Sequence, residues 1–330
     1  MKAIALLSGG LDSTLAVKIM LEQGIEVVAV NYVTPFCQCS RKGCKHEAKK
    51  ASDEFGITLK TINISRDFLE VVKNPKHGYG RNLNPCIDCR IMMHKKAKEY
   101  MEEIGASFLI TGEVLGQRPM SQHRQTLDLI EKESGVEGLV LRPLSAKLFA
   151  PTIPETTGMV DRERLLGFSG RSRKPQIALA EELGVNDYPC PAGGCLLTDA
   201  GFARRMRDLM QHGELSLDDI PLLKVGRHFR LSPSAKLVVG RDEGENERLL
   251  VLAREGDVCF DPLEEKGPTG IGRGVFDAEQ LSLGCQIIAR YCSDHEDRTL
   301  DIGHRIWPDG DAASTLSGAM EETALDSFRI

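Results

Sequence analysis

Two rhythms of apolar and polar positions alternate along the first half of the chain. Short runs rich in Val, Ile, Leu and Ala at 3–7, 26–32, 58–64 and 107–111 predict strands. Between them, apolar residues recur at helical spacing over 12–23, 46–55 and 91–104. Strands alternating with helices predict an α/β fold, a doubly wound, mostly parallel sheet with helices on both faces. In such sheets ligands gather beyond the carboxyl ends of the strands. The loops after Leu7, Tyr32 and Thr111 are therefore expected to share one edge.

The rhythm then changes. Residues 140–160 hold Pro143, Pro151 and Pro154 with little periodicity and read as a connector. A helix is expected over 176–183, followed by the irregular stretch "YPCPAGGC". A basic helix over 202–210 leads into strand-like runs at 229–231, 236–240, 257–260 and 286–291. The glycine-rich "GPTGIGRG" at 267–274 reads as a loop, because it lacks a strand-to-helix setting. The organisation expected is a nucleotide-type domain over 1–200, a smaller α+β domain over 201–310, and an acidic, disordered tail over 311–330.

Length and composition are those of a globular protein with room for two domains: 330 residues, 41% hydrophobic and 27% charged. No apolar run approaches the roughly 18–20 residues of a membrane span. The N-terminus does not resemble a secretory signal, so a cytoplasmic setting and no membrane partner are expected. The formal charge of -6 is uneven. Residues 294–330 carry nine acidic and three basic residues, whereas 162–241 carry thirteen basic and nine acidic. A basic face for nucleic acid is compatible with that distribution; indiscriminate polyanion binding is not.

The stretch "ALLSGGLDSTLAVKIMLEQG" at 5–24 carries the first candidate chemistry. A glycine loop between a strand and a helix aims backbone N–H groups and a helix N-terminus at one spot, which favours an anion. Gly9 and Gly10 permit close approach. Ser8 and Ser13, with Thr14, add hydroxyls around Leu11. Neither GxxxxGK[ST] nor GxGxxG occurs, so no lysine neutralises a phosphate here. Asp12 instead suggests a Mg2+ site. Thr111, Gly112 and Glu113, at the end of a later strand, are expected to border the same pocket.

With these residues in view, SGGLDS resembles the SGGxDS signature of the PP-loop ATP pyrophosphatases, enzymes that adenylate a substrate and release pyrophosphate. "ITGEVLGQRPMSQ" (110–122) and "VLRPL" (140–144) resemble segments of the tRNA 4-thiouridine synthetases, and the resemblance spans roughly 1–200. It implies a Rossmann-like PP-loop domain, ATP and Mg2+ as cofactors, and roles for Gln117 and Gln122. Those synthetases usually carry an N-terminal RNA-binding module. Here the nucleotide loop begins at once, so the C-terminal third is expected to supply the RNA contact. "KLVVGRDEGENERL" (236–249) resembles an RNA-binding module of the NFACT proteins.

Ten cysteines add a second chemistry, and seven fall in tight groups. In a chain of cytosolic type such groups read as metal or redox chemistry. Cys86 and Cys89 form a CxxC just before an expected helix, where thiol pKa falls and thiolate is favoured. Cys190 and Cys195 lie about 100 residues further on. The thiolating PP-loop enzymes imply two readings for such a set. In one, Cys86, Cys89 and a third cysteine hold a 4Fe-4S cluster with one iron open; Cys195 is preferred as the third ligand, with Cys190 in reserve. In the other, a persulfide and a resolving cysteine act without iron. A structural zinc site or buried free thiols is the third reading. Cys37, Cys39, Cys44 and His46 form a separate candidate Zn2+ set, against a basic loop with stray thiols or a sulfur-relay role for one of them.

Single features weigh less. His77, His94, His123 and His228 show no partner spacing and are expected on the surface or satisfied. Arg204, Arg205 and Arg207 are candidates for phosphate contacts or for a solvated helix face.

The function expected is an ATP-dependent sulfurtransferase that adenylates a uridine carbonyl oxygen in tRNA and replaces it with sulfur. Asp12, Cys86, Cys89 and Cys195 are expected to carry the reaction, and sulfide or a cysteine desulfurase to supply the sulfur. A homodimer is one candidate assembly. The rivals are a PP-loop enzyme with a small-molecule substrate and a non-catalytic RNA-binding or sulfur-carrier protein.

Overall fold

Residues 3–7 lay alternate side chains on opposite faces of one strand, and the protein buries both faces. The computed structural model of the chain describes residues 1–37, 43–185, 188, 194–293 and 298–330, without the side chains of 43–45. The chain divides into two units, Met1–Asp199 and Ala200–Ile330.

In the first unit, β1 (Lys2–Leu6) runs into α1 (Leu11–Glu22), then β2 (Glu26–Val33), α2 (Gly43–Glu54), β3 (Thr58–Asn63) and α3 (Ser65–Lys73). There follow α4 (Cys86–Glu103), β4 (Phe108–Thr111), α5 (Arg124–Ser134), β5 (Val140–Leu141), α6 (Ile153–Thr156) and α7 (Lys174–Glu182). The five strands form one sheet in the order β3-β2-β1-β4-β5, and every neighbouring pair is parallel. Ala3, Ala5 and Leu7 enter a core with Leu15, Ile19 and Met20 of α1, Ala48 and Ala51 of α2, and Ala180 of α7. Ile4 enters the opposite core with Val30, Leu109, Val140, and Ala97 and Met101 of α4. Period-2 alternation with apolar residues in both sets is what a sheet covered on both faces requires. The loops after β1, β2 and β4 leave the same edge, as the alternation predicts.

Four readings of the sequence change here. Helix α4 begins at Cys86, behind Pro85, so the CxxC lies inside its first turn. Proline is pre-set for a helix start, which the apolar spacing from 91 onward does not reveal. Helices α3 and α5 are not expected from the pattern. The first buries only Phe68, Leu69 and Val72, and the second ends in a left-handed Gly135 with φ 67°. The expected connector at 140–160 supplies strand β5, which hydrogen-bonds to β4.

The second unit contains α8 (Ala200–His212), α9 (Ile220–Leu223), β6 (Arg227–Ser232), β7 (Ala235–Val239), α10 (Glu243–Leu252) and β8 (Val258–Pro262). It continues with β9 (Gly270–Gly274), α11 (Ala278–Arg290), β10 (Thr299–Ile306), β11 (Ala313–Gly318) and α12 (Glu322–Phe328). Its sheet has the order β11-β10-β8-β9-β7-β6, with antiparallel neighbours throughout. One face packs Phe229, Leu237, Phe260 and Ile302 against Cys285, Ile287 and Ile288 of α11. The other packs Val238, Cys259 and Ile271 with Leu222 of α9 and Leu249 of α10.

Three expectations are overturned in this unit. Residues 286–290 end helix α11 instead of forming a strand. Leu281, Cys285, Ile288 and Cys292 follow a 4-3-4 spacing that a six-residue window cannot show. Residues 270–274 are a strand instead of a loop. A Cβ at Gly272 would stand 2.4 Å from the Phe276 ring, and one at Gly270 would stand 2.7 Å from Ile288. These glycines therefore admit close packing on a strand. The supposed tail supplies β11, paired along β10 from Thr299↔Gly318 to His304↔Ala313, and α12, whose Leu325 is fully buried.

Candidate functional site

The glycine loop leaves β1 and enters α1 at Gly10, where no side chain caps the helix. The N–H groups of Leu11, Asp12 and Ser13 at that end lack intrahelical partners, and the aligned peptide dipoles add positive character. Neighbouring hydroxyls shape the turn. Ser13 Oγ donates to the Gly10 carbonyl at 2.9 Å and Thr14 Oγ1 to the same oxygen at 3.1 Å, while the hydroxyls of Ser8 and Ser13 lie 3.1 Å apart. Gly9 has φ 77°, and a Cβ there would stand 2.6 Å from the backbone of Glu47 and Ala48.

Strand β4 ends beside β1, with Leu6 opposite Thr111. Gly112 then passes so close to the start of α1 that a Cβ would fall 2.4 Å from the Ser13 nitrogen. Glu113 does not open towards a nucleotide. It is 2% exposed and accepts from Arg142 Nε at 3.1 Å and Thr111 Oγ1 at 3.2 Å, with Arg90 at 3.3 Å. Burial alone would raise its pKa, but Arg90 and Arg142 hold it down to about 2. His94 completes this buried group. It bonds the Arg90 carbonyl through Nδ1 at 2.8 Å and leaves Nε2 without a partner. Desolvation lowers its pKa to about 4. The expectation of a surface or satisfied histidine therefore fails at His94, and Glu113 serves the walls of the site.

Asp12 is gripped from elements far away in sequence. Gln117 Nε2 donates to its Oδ2 at 2.7 Å, and Arg173 stands 3.5 Å from the same oxygen. Gln117 in turn accepts from Gln176 Nε2 at 2.9 Å, and Gln176 is fully buried in α7. The other carboxylate oxygen, Asp12 Oδ1, is buried with no hydrogen-bond partner. An orphaned carboxylate oxygen beside an anion-receptive loop fits a Mg2+ ion, which is commonly held by one or two carboxylates and substrate phosphates. Gln122 acts locally. Its Oε1 accepts from the Arg118 N–H at 3.0 Å, and its carbonyl accepts from the Gly116 N–H at 2.7 Å. It closes the loop that presents Gln117.

The thiols lie near by. Cys86, Cys89 and Cys195 feel one another electrostatically, and Cys195 also feels Cys37. Cys37 and Cys195 face each other across an isolated antiparallel bridge, where the Leu196 N–H donates to the Phe36 carbonyl at 2.8 Å. The expected low thiol pKa does not hold. Burial raises Cys86 and pushes Cys89 and Cys195 up to about 12, outweighing the helix terminus. Among the described residues, no three His, Cys, Asp or Glu side chains converge on a single metal ion. An iron–sulfur cluster makes a different demand, because each thiolate binds a different iron atom. Three neighbouring, half-buried thiols would suit one, and Cys86, Cys89 and Cys195 would hold it. Of the Zn2+ set, only Cys37 and His46 have described side chains. Cys37 is turned to Cys195, and His46 is half-exposed, 3.6 Å from Glu47. Cys39, the side chain of Cys44, and Cys190 lie outside the described residues.

Arg118 ties loop and thiols together. Its side chain is exposed at the surface, yet partial desolvation lowers its pKa, Arg90 and Arg173 press in the same direction, and Asp12 and Cys86 oppose them. Sequence reasoning misses Arg90, Arg118, Arg142, Arg173 and Gln176. The motif segments 110–122 and 140–144 contain Arg118 and Arg142, and no local signal marks the other three. In the second unit, Arg204 and Arg205 line a cavity, while Arg207 lies outside its lining.

Two segments of the chain match known protein families. Residues 1–147 match the family model of the thiamine biosynthesis protein ThiI, and residues 226–329 match that of the NFACT protein RNA binding domain. The tRNA-specific 2-thiouridylase MnmA 1 of Caldanaerobacter subterraneus subsp. tengcongensis is 35% identical over 121 residues, which are 32% of this chain and 33% of that protein. The probable tRNA sulfurtransferase of Methanothermobacter thermautotrophicus is 32% identical over 147 residues, 43% of this chain and 36% of that protein. The chain thus spans about a third of the length of these curated relatives. Among solved structures, a 4-thiouridine synthetase–RNA complex with bound ATP superposes with a TM-score of 0.41 at 24% identity, over 68% of this chain and 52% of that one.

Proposed function

We propose, on the premise that residues 1–147 form a ThiI-type PP-loop domain and residues 226–329 an NFACT-type RNA-binding domain, that the chain is an ATP-dependent tRNA sulfurtransferase. It adenylates a carbonyl oxygen of a uridine in tRNA and replaces that oxygen with sulfur. One observation carries the reading. Arg118 lies within electrostatic reach of both Asp12, at the nucleotide loop, and Cys86, in the thiol group. This supports a reading in which activation and sulfur delivery belong to one site.

The chemistry follows from those positions. The uncapped start of α1 receives the pyrophosphate portion of ATP, and Asp12 Oδ1 would hold the accompanying Mg2+. The uridine oxygen attacks the α-phosphorus; its bond to phosphorus forms as the bond to pyrophosphate breaks. Arg118 and Arg173 are placed to offset the charge that gathers on the phosphates. The oxygen now leaves as AMP, so hydrosulfide adds to the carbon and AMP departs, giving the thiocarbonyl. A bound cluster would supply an open iron to hold the sulfide. Cys86, Cys89 and Cys195 would bind it as thiolates, which their burial makes costly without metal.

The test is anaerobic turnover with ATP, Mg2+, sulfide and unmodified tRNA, reading pyrophosphate release and thiouridine in nuclease digests. Asp12→Ala should abolish both while the fold persists, since a lost metal ligand costs several kcal/mol in the transition state. Turnover within about threefold of wild type would end the assignment of Asp12. Serine at Cys86, Cys89 or Cys195 should stop thiouridine formation and spare pyrophosphate release, and should bleach brown, iron-loaded protein. Colourless anaerobic protein with stoichiometric zinc would remove the cluster from the reading.

A further inference from the structure

The second unit holds a cavity of about 340 Å³ whose walls include Arg204, Arg205, Arg227, His228, Tyr291 and Arg329. The cationic residues come from three separate places: α8, the start of β6, and the segment after α12. Arg329 is balanced by Asp326 at 2.6 Å and Glu322 at 3.1 Å. Arg227 is not. It donates to the Gly240 carbonyl at 2.9 Å and lies over the Tyr291 ring, 4.5 Å from its centroid, and neither contact cancels its charge. Among the described residues, no carboxylate pairs with Arg204 or Arg227 at salt-bridge distance.

Behind the wall the charge is again positive. Asp208 is shared by Arg230 at 2.6 Å and Lys236 at 3.3 Å. Lys236 is 7% exposed. A concave site with this charge excess favours an anion.

His228 adds a second, independent signal. It is 2% exposed, its Nε2 lies 2.8 Å from the Val225 carbonyl, and its Nδ1 is buried without a partner. Since a carbonyl only accepts, Nε2 carries the proton and Nδ1 is an acceptor. A bare anion cannot satisfy an acceptor. The ligand that answers both features carries a phosphate and, close by, a hydroxyl donor. Ribonucleotides have that pairing through the 2′-hydroxyl.

We infer that this cavity is a ribonucleotide-binding pocket that seats one phosphate of an RNA strand on Arg204, Arg205 and Arg227 and receives the adjoining ribose hydroxyl at His228 Nδ1. The inference deepens the reading of the chain as a tRNA-acting protein and rests on it. It assigns the anchoring of RNA to residues of α8, outside the 226–329 match, as well as to β6.

The experiment measures binding of a fluorescent single-stranded oligouridylate and its 2′-deoxy counterpart to the full chain across a salt series. Wild type should prefer the ribo-oligomer several-fold. Arg204→Ala and Arg227→Ala should each weaken it at least tenfold and flatten the slope of log K against log salt by about 0.7, the share of one phosphate contact on a single strand. His228→Phe should erase the ribose preference. Should that variant fail to fold, the ribo-to-deoxy ratio of wild type decides the point, and a ratio of one overturns the hydroxyl contact. Unchanged affinity in both arginine variants overturns the pocket. Pyrophosphate and thiouridine formation report separately. If they proceed while pocket variants bind RNA normally, this inference alone fails; if neither product forms, the reading beneath it fails.

Discussion

Gln117 donates to Asp12 Oδ2 at 2.7 Å, joining residues 105 apart in sequence. Gln176 holds Gln117 in turn at 2.9 Å. The chain Gln176–Gln117–Asp12 fixes one carboxylate oxygen and leaves the other, Oδ1, without a protein partner.

That relay sets how Asp12 meets a metal. Gln117→Leu or Gln176→Leu should raise the Mg2+ concentration needed for half-maximal pyrophosphate release about 10–100-fold, the usual effect of removing an outer-shell partner. A role in packing alone would lower the melting temperature and leave the Mg2+ dependence unchanged. Titrating Mg2+ at saturating ATP separates the two.

Gly112 is expected to tolerate no side chain. A Cβ would stand 2.4 Å from the Ser13 nitrogen and 2.5 Å from the Asp12 carbonyl carbon. Both are backbone atoms of the α1 start, so one of the two segments has to move. Gly112→Ala should destabilise the fold by about 1–3 kcal/mol and weaken ATP binding by at least tenfold. Calorimetric titration with ATP checks the second effect; affinity equal to wild type would show that the loop does not receive the nucleotide.

The buried group around Glu113 makes stability depend on acid. His94 has an ordinary value of 6.5 and a folded value of about 4. Between those limits the unfolded chain takes a proton that the folded chain refuses, so stability is full above the upper limit and falls as pH drops towards the lower. Glu113, held at about 2 against an ordinary 4.5, adds a second loss at lower pH in the same direction. His94→Leu should flatten the stability profile between about pH 6.5 and 4 by up to one proton, about 1.4 kcal/mol per pH unit. Urea midpoints measured across that range test the sign, and identical slopes in variant and wild type would refute it.

Much of the first unit is legible in the sequence because its signals are local. A strand that reads apolar on both faces, a glycine turn and an uncapped helix start each lie within a few residues, and together they specify a parallel sheet with an anion-receptive loop. The same locality explains the failures. Residues 286–290 look like a strand because a short apolar run has no readable period, and only packing against the face of the sheet selects a helix. Glu113 looks like a site residue at a strand end; its inward turn depends on Arg142 and Arg90, which arrive from two other elements. The thiol pKa values mislead for a related reason. A helix terminus is a local property, whereas desolvation depends on everything packed around the sulfur.

By itself the sequence determined the alternation of strand and helix, the nucleotide loop with Asp12, and the identity of the thiols. Tertiary structure alone decided which partners those groups meet: Gln117 and Gln176 on Asp12, Arg118 within reach of both Asp12 and Cys86, Cys195 beside Cys86 and Cys89, and His228 buried in a wall of arginines. Propensity and periodicity are written into neighbours along the chain. Burial and charge pairing are properties of neighbours in space, and they exist only once the sheet has brought its loops to one edge.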